Sequence, residues 1–175
     1  VIPPSVEALG VVTHRAEVPV WMPWPLPVGW LFTGVAYAGD DRSGGRATVV
    51  ACSGPAPLGG VGELLLVAEE PGVGLGARYA GIDGPDPGPH MCTGTRPQAK
   101  VLAAGRPTPL WHVNDAPQDR AVFAGEARGL WLWAVVWPEK SGLLMYDELV
   151  LTDLREAGSE VELLPCGALS PRLLD

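Results

Sequence analysis

Cysteine is scarce. Cys52, Cys92 and Cys166 stand far apart, with no Cys-x-x-Cys pair and no even-numbered set. That excludes a disulfide framework and reads as a reduced, cytoplasmic protein. Positive charge is also short: 12 Lys and Arg face 20 Asp and Glu, giving a net charge of −8 and a pI near 4.8. No Lys/Arg-rich block offsets this balance, so nucleic acid and anionic membrane surfaces are poor partners. Apolar runs stop at about nine residues, where a membrane-crossing helix needs about 20. No signal-peptide pattern opens the chain. Lys and Glu, the common helix formers, are sparse, whereas Gly (23) and Pro (19) are abundant. Such a composition predicts many turns and few long helices.

What is present is an apolar fraction of 47% in 175 residues, enough for one domain with a core, or at most two small ones. The most distinctive stretch runs from Pro19 to Trp30 and holds Trp21, Trp24 and Trp30 among four prolines. Proline fixes φ and lacks an N–H, so this stretch is neither helix interior nor central strand. It is expected to be extended. Either it lies across the domain's own core, or it offers flat aromatic faces to a sugar or a proline-rich partner.

Ser5 is a helix N-cap candidate, with Val6, Leu9 and Thr13 on one side. Residues 30–37 and 46–52 read as strands joined by a polar turn over 39–45. The run from Glu63 to Ala68 fits a buried strand or a short helix, and its Gly and Pro flanks favour the strand. Residues 74–80 read as a helical turn and 81–97 as loop. Further strands are expected at 99–103, 110–113 and 120–124. From Leu130 to Trp137 both alternating faces are apolar, which predicts a central strand covered on both sides. Glu139 to Gly142 should turn the chain back into strands at 143–146 and 149–151. A capped turn of helix at 152–157 and a last strand at 161–164 follow. The expected fold is β-rich α+β, an antiparallel sheet or partly closed barrel with a few short helices. Residues 1–28 read as linker, short helix and Trp/Pro-rich wrap. Residues 29–175 read as one β-rich domain, within which 29–81 and 98–165 echo one another as hairpins around Ser43-Gly44 and Ser141-Gly142.

A second candidate site is Glu69-Glu70-Pro-Gly-Val-Gly-Leu-Gly-Ala-Arg78. Gly72, Gly74 and Gly76 permit close backbone approach, and free N–H groups at a helix start attract anions. The spacing lacks the GK[ST] of a phosphate loop, and the plain reading is a tight connection. His90 and Cys92 could both ligate a metal, but a site needs three or four ligands, and only carboxylates such as Asp83 and Asp86 or distant residues remain to supply the others. Ser53 lacks a nucleophile-elbow sequence. His112 reads as a half-buried core histidine, and Asp147-Glu148 as a bulge or edge with a paired-carboxylate alternative. No metal site and no cofactor motif are expected.

Three strings resemble an uncharacterised actinobacterial family: residues 2–10 with 20–37, residues 64–81, and residues 142–154. The family's members resemble proteins that open with a short zinc-ribbon-like segment just before the position of Val1. The resemblance implies that any zinc ligands precede this chain, and it names no catalytic residue. The start at Val1 and the linker-like Ile2-Pro3-Pro4 likewise predict preceding residues. Together these features suggest a non-catalytic module that binds a protein partner or a small ligand. Its surface would be built from Trp21, Trp24, Trp30, Glu69, Glu70, Gly72, Gly74, Gly76 and Arg78. The alternative is a small cytoplasmic enzyme acting on an anionic or phosphorylated substrate. There the glycines and Arg78 would hold the anion and Glu69 or Glu70 would be general base.

Overall fold

Among the described residues, nine strands form one curled, mixed sheet that makes a half-barrel with a few short helices around it. The computed structural model describes residues 3–40, 42 and 44–174. In chain order the elements are α1 (Val6–Arg15), β1 (Trp21–Pro23), β2 (Leu31–Asp40), β3 (Gly44–Pro55), β4 (Val61–Glu69) and α2 (Leu75–Ala80). Then come β5 (Ala99–Ala103), β6 (Arg106–His112), β7 (Ala121–Ala127), β8 (Leu130–Trp137) and β9 (Val150–Asp153). Their order in the sheet is β1-β9-β5-β6-β7-β8-β4-β3-β2. All neighbours are antiparallel except β5 and β9. Ile2, Asp41 and Ser43, on which the expected linker, polar turn and first hairpin echo depend, lie outside the described residues.

The apolar alternation of β8 places it between β7 and β4, covered on both faces. Leu132, Ala134 and Val136 look into the concave core with Phe32, Leu64, Leu66, Phe123 and Met145. Trp133, Val135 and Trp137 look outward, under α2 and the C-terminal Leu173. Each large apolar side chain buried this way contributes about 1.5–3 kcal/mol. The Ser5 hydroxyl accepts the Ala8 N–H at 3.0 Å and caps α1, whose Ala8, Leu9 and Val12 close one side of the concave core.

The half-barrel is tied across its open side by the N-terminal stretch. Glu17 N–H donates to Gly45 O at 2.9 Å and the Thr48 hydroxyl to Pro19 O at 2.6 Å, while β1 itself pairs with β9. Residues 165–170 hydrogen-bond along Phe32 and Thr33 and so cover part of the exposed edge of β2.

Several strands run longer than expected. β6 starts at Arg106 and takes in Pro107 and Pro109. The prolines fit because the β6–β7 ladder is short, only Trp111↔Ala124 and His112↔Phe123, so few N–H donors are needed there. The β5–β6 and β7–β8 connections are two-residue turns, Ala104-Gly105 (φ 51 and 79) and Arg128-Gly129 (φ 56 and 77). Both central residues having positive φ is what a type I′ hairpin requires, and Gly supplies it at the second position.

Two expected strands are corrected. Residues 139–146 form a 3₁₀-helix rather than a turn and a strand, so Ser141-Gly142 is helical and not a hairpin tip. The burial pattern explains it. Ser141, Gly142, Leu144 and Met145 are buried while Leu143 and Tyr146 are exposed, a period of three rather than two. The last expected strand is likewise a 3₁₀ turn, Ser159–Leu163.

Candidate functional site

The residues singled out in the sequence do not form one surface. Trp21 is buried beside Asp153 in the β1–β9 pairing, with the Arg128 guanidinium 5.8 Å from its ring centre. Trp30 is buried over Gly54, where an added Cβ would lie 2.5 Å from the indole, and its Nε1 donates to Pro55 O at 3.2 Å. Trp24 is half-buried against the concave core. The tryptophans therefore face inward, and the run is a strap across the barrel.

Asp153, buried next to this strap, would be pushed up by burial. Hydrogen bonds from Arg155 and from the Val20 N–H outweigh that and hold its carboxyl below the usual range. Arg128 adds a contact at 2.9 Å and also grips Glu156.

Glu69, at the end of β4, is 0% exposed. Its Oε1 accepts the Trp133 indole N–H at 2.8 Å, and its Oε2 accepts the N–H groups of Leu75 (2.8 Å) and Gly76 (3.2 Å) at the start of α2. The anion that this glycine-rich helix start attracts is thus the chain's own carboxylate. Gly76 is required because a Cβ there would stand 2.2 Å from the Trp133 ring. Burial raises the Glu69 pKa, and the three N–H donors oppose the rise. Glu70 is held at the surface by Arg46 at 2.9 Å. The Gly72 N–H donates to Asp86 at 2.9 Å, Gly74 adopts φ 85 as the residue before α2, and Arg78 is exposed with its guanidinium 5.7 Å from the Tyr79 ring centre. A general base at Glu69 has no access to a dissolved substrate in this arrangement.

His90 and Cys92 are engaged separately. His90 Nδ1 lies 2.8 Å from Asp115 and Nε2 lies 3.1 Å from Asp83 O, while Cys92 Sγ accepts from Asn114 at 3.0 Å. Among the described residues, no three His, Cys, Asp or Glu side chains gather as a metal site would need.

The site that geometry favours is a cleft around His112. A cavity of about 240 Å³ has Ala121, Phe123 and Gly142 in its lining, with His112, Leu143, Tyr146 and Leu58 around them and Glu139 and Lys140 beside them. His112, at the end of β6, stacks at 4.5 Å on Phe123, whose other aromatic neighbour is Tyr146, edge-on at 6.3 Å. Burial lowers the His112 pKa and so favours the neutral ring, with the nearby Glu139 carboxylate working against it. Among the described residues nothing hydrogen-bonds its ring nitrogens, although its backbone N–H is held by Gln98 at 2.7 Å. A second cavity, about 420 Å³, shares Tyr146 as a wall and is lined by Arg96, Gln98, Lys100 and Glu148. Gln98 joins the two: its oxygen takes the His112 N–H, and its amide nitrogen donates to Thr95 Oγ1 (2.9 Å) and Arg96 O (2.6 Å). A third depression, about 450 Å³ between the two hairpin tips, is lined by turn residues and prolines together with Arg106, Thr108 and Glu126. Its Arg128 is already committed to Asp153 and Glu156.

The sequence reading missed Gln98, Phe123, Glu139, Lys140 and Tyr146. The one available signal was the three-residue period that leaves Leu143 and Tyr146 outside.

Residues 1–173 match the family of unknown function DUF6758. The chain belongs to that family. No curated protein and no solved structure matches it. Among the described residues no helix of this DUF6758 protein is long and apolar enough to cross a membrane.

Proposed function

We propose that this DUF6758 protein is a non-catalytic binding module and that it recognises a protein partner through the His112–Tyr146 cleft. One observation carries the reading: an open, apolar-floored cavity with exposed Leu58 (62%), Leu143 (41%) and Tyr146 (54%) around a histidine whose ring, among the described residues, has no hydrogen-bond partner. A cavity of about 240 Å³ is below the ~300–1,000 Å³ of small-molecule sites, which favours a single inserted side chain. Buried aromatic floors ringed by amphipathic residues are where partner anchors dock. Trp21, Trp30 and Glu69 support this indirectly, because they are spent inside the fold. The reading retains, from the sequence resemblance alone, an actinobacterial source and a zinc-ribbon-like segment ahead of Val1. The reading also keeps a cytoplasmic setting, which the cysteine usage supports.

The test is a titration of the ¹⁵N-labelled protein with N-acetyl-phenylalanine amide and N-acetyl-leucine amide, neutral mimics of one side chain. Shifts confined to the amides of His112, Phe123, Gly142 and Leu143, absent in Leu143→Glu, are expected. Saturating probe with no shift at these amides would remove the cleft as the binding site.

A further inference from the structure

We infer that the occupant of this cleft is an acidic peptide segment: one apolar side chain seated against Phe123, with carboxylates beside it reaching toward Arg96 and Lys140. The inference rests on the binding reading above and adds the chemistry of the partner.

The argument starts from charge. The protein is acidic overall, with a net charge of −8. In such a chain most cations find an anion or a ring nearby: Arg46 with Glu70, Arg128 with Asp153 and Glu156, Arg155 with Asp153, Arg172 with Glu63. Arg120 pairs with Asp119 and also lies 5.1 Å from the Trp137 ring centre. Among the described residues, the side chains of Arg96, Arg106 and Lys140 have no such partner. Two of these three line the linked cavities, Lys140 the apolar pocket and Arg96 its neighbour. The remaining cation there, Lys100, is held loosely by Glu148 at 3.5 Å, both side chains being about half exposed. Unpaired cations beside an apolar pocket on an acidic protein are complementary to an acidic ligand and repel a basic one.

Both cavities have Tyr146 in their lining, so an occupant of one can be extended past that ring toward the other. Gln98 fixes their relative position before anything binds, since it holds the His112 backbone with one end and the Thr95–Arg96 segment with the other. Such preorganisation lowers the ordering cost of binding. Glu139 lines the apolar pocket together with Lys140. Its charge partly offsets that of Lys140, so the acidic part of the segment is drawn most strongly past Tyr146 toward Arg96.

The experiment extends the side-chain mimics by two residues. Acetyl-Phe-Glu-Glu-amide, acetyl-Glu-Glu-Phe-amide and their Gln and Lys counterparts are titrated into the labelled protein at low salt. At least one Glu peptide should bind ~10-fold tighter than its Gln counterpart, and the Lys peptides should bind weakest. The advantage should shrink as salt rises and vanish in the double variant Arg96→Gln/Lys140→Gln, whose exposed substitutions leave the spectrum folded. Glu, Gln and Lys peptides binding equally at the cleft would overturn the inference and leave the binding reading standing. Glu peptides no tighter than N-acetyl-phenylalanine amide, or shifting amides elsewhere, would overturn it too. Silence from the neutral amide itself would remove the site on which both rest.

Discussion

Glu69 and His112 are both titratable side chains drawn into the sheet, and burial shifts each toward its neutral form. Their surroundings then diverge. Glu69 is sealed and accepts three N–H groups, from Trp133, Leu75 and Gly76. His112 opens on a cavity, and among the described residues its ring hydrogen-bonds to nothing. A perturbed titration is therefore common to a structural clamp and to a site. What separates them is unmet hydrogen-bonding capacity facing open space.

The same substitution at both places gives the largest contrast. Glu69→Leu strips three buried donors of their acceptor and should cost about 3–5 kcal/mol in urea unfolding. His112→Leu removes no hydrogen bond from the ring and keeps an apolar contact with Phe123. It should change stability by no more than about 1 kcal/mol. Comparable losses at the two positions would erase the distinction. The pH dependence of Glu69 has a definite sign. Its folded pKa is raised, so its contribution is complete below the ordinary carboxyl value and is lost as pH rises through the folded value.

A smaller effect is expected at Gln98. Gln98→Ala leaves the His112 N–H without its acceptor and frees the Thr95–Arg96 segment. The cost should be about 1 kcal/mol. Hydrogen exchange should quicken at the His112 amide while the amides of Leu75 and Gly76 keep their protection. Unchanged exchange at His112 would mean that Gln98 does not position the cleft.

The sequence makes one half of this comparison far more legible than the other. Strands such as β8 announce themselves because both alternating faces are apolar, and Ser5 marks α1 through its own side chain. The glycines before α2 and the acidic pair beside them were visible as a unit. That Glu69 is the anion those N–H groups hold depends on β4 ending against α2, a tertiary fact. The Trp/Pro run was visible as extended, but not the direction its rings face. The cleft was illegible for a different reason. Its parts come from β6, β7 and the 3₁₀-helix at 139–146, with Gln98 standing just before β5. The helix was itself misread as a strand because four apolar residues in a row suit either. Tyr146 then reads as one more strand residue instead of a side chain that lines two cavities.

The smallest expected effect uses the other folded-in histidine as a control. His90 is exposed to titration like His112 but partnered like Glu69: both its nitrogens face acceptors, the Asp115 carboxylate and Asp83 O, a pairing that the doubly protonated ring satisfies. The Asp115 hydrogen bond raises its pKa against the opposing effect of burial, and the Asp83 carbonyl bond and the charges of Asp115 and Asp83 act the same way as the Asp115 bond. His112 has its pKa lowered by burial. The two rings should therefore titrate on opposite sides of about 6.5, the ordinary histidine value. The linkage signs are opposite as well. The His90 clasp is fully present below the ordinary value and is lost as pH rises through the folded pKa. The His112 contribution is present above the ordinary value and is lost as pH falls through its folded pKa. Carbon-bound ring protons followed by NMR give both midpoints. Intrinsic-rate-corrected exchange at residues 90–92 and 113–115 should loosen on the alkaline side alone, since Asn114 N–H to His90 O and Cys92 N–H to His112 O span the clasp. Were the two midpoints to coincide, partnered and unpartnered rings would be electrostatically alike, and the contrast drawn between clamp and cleft would have no basis in titration.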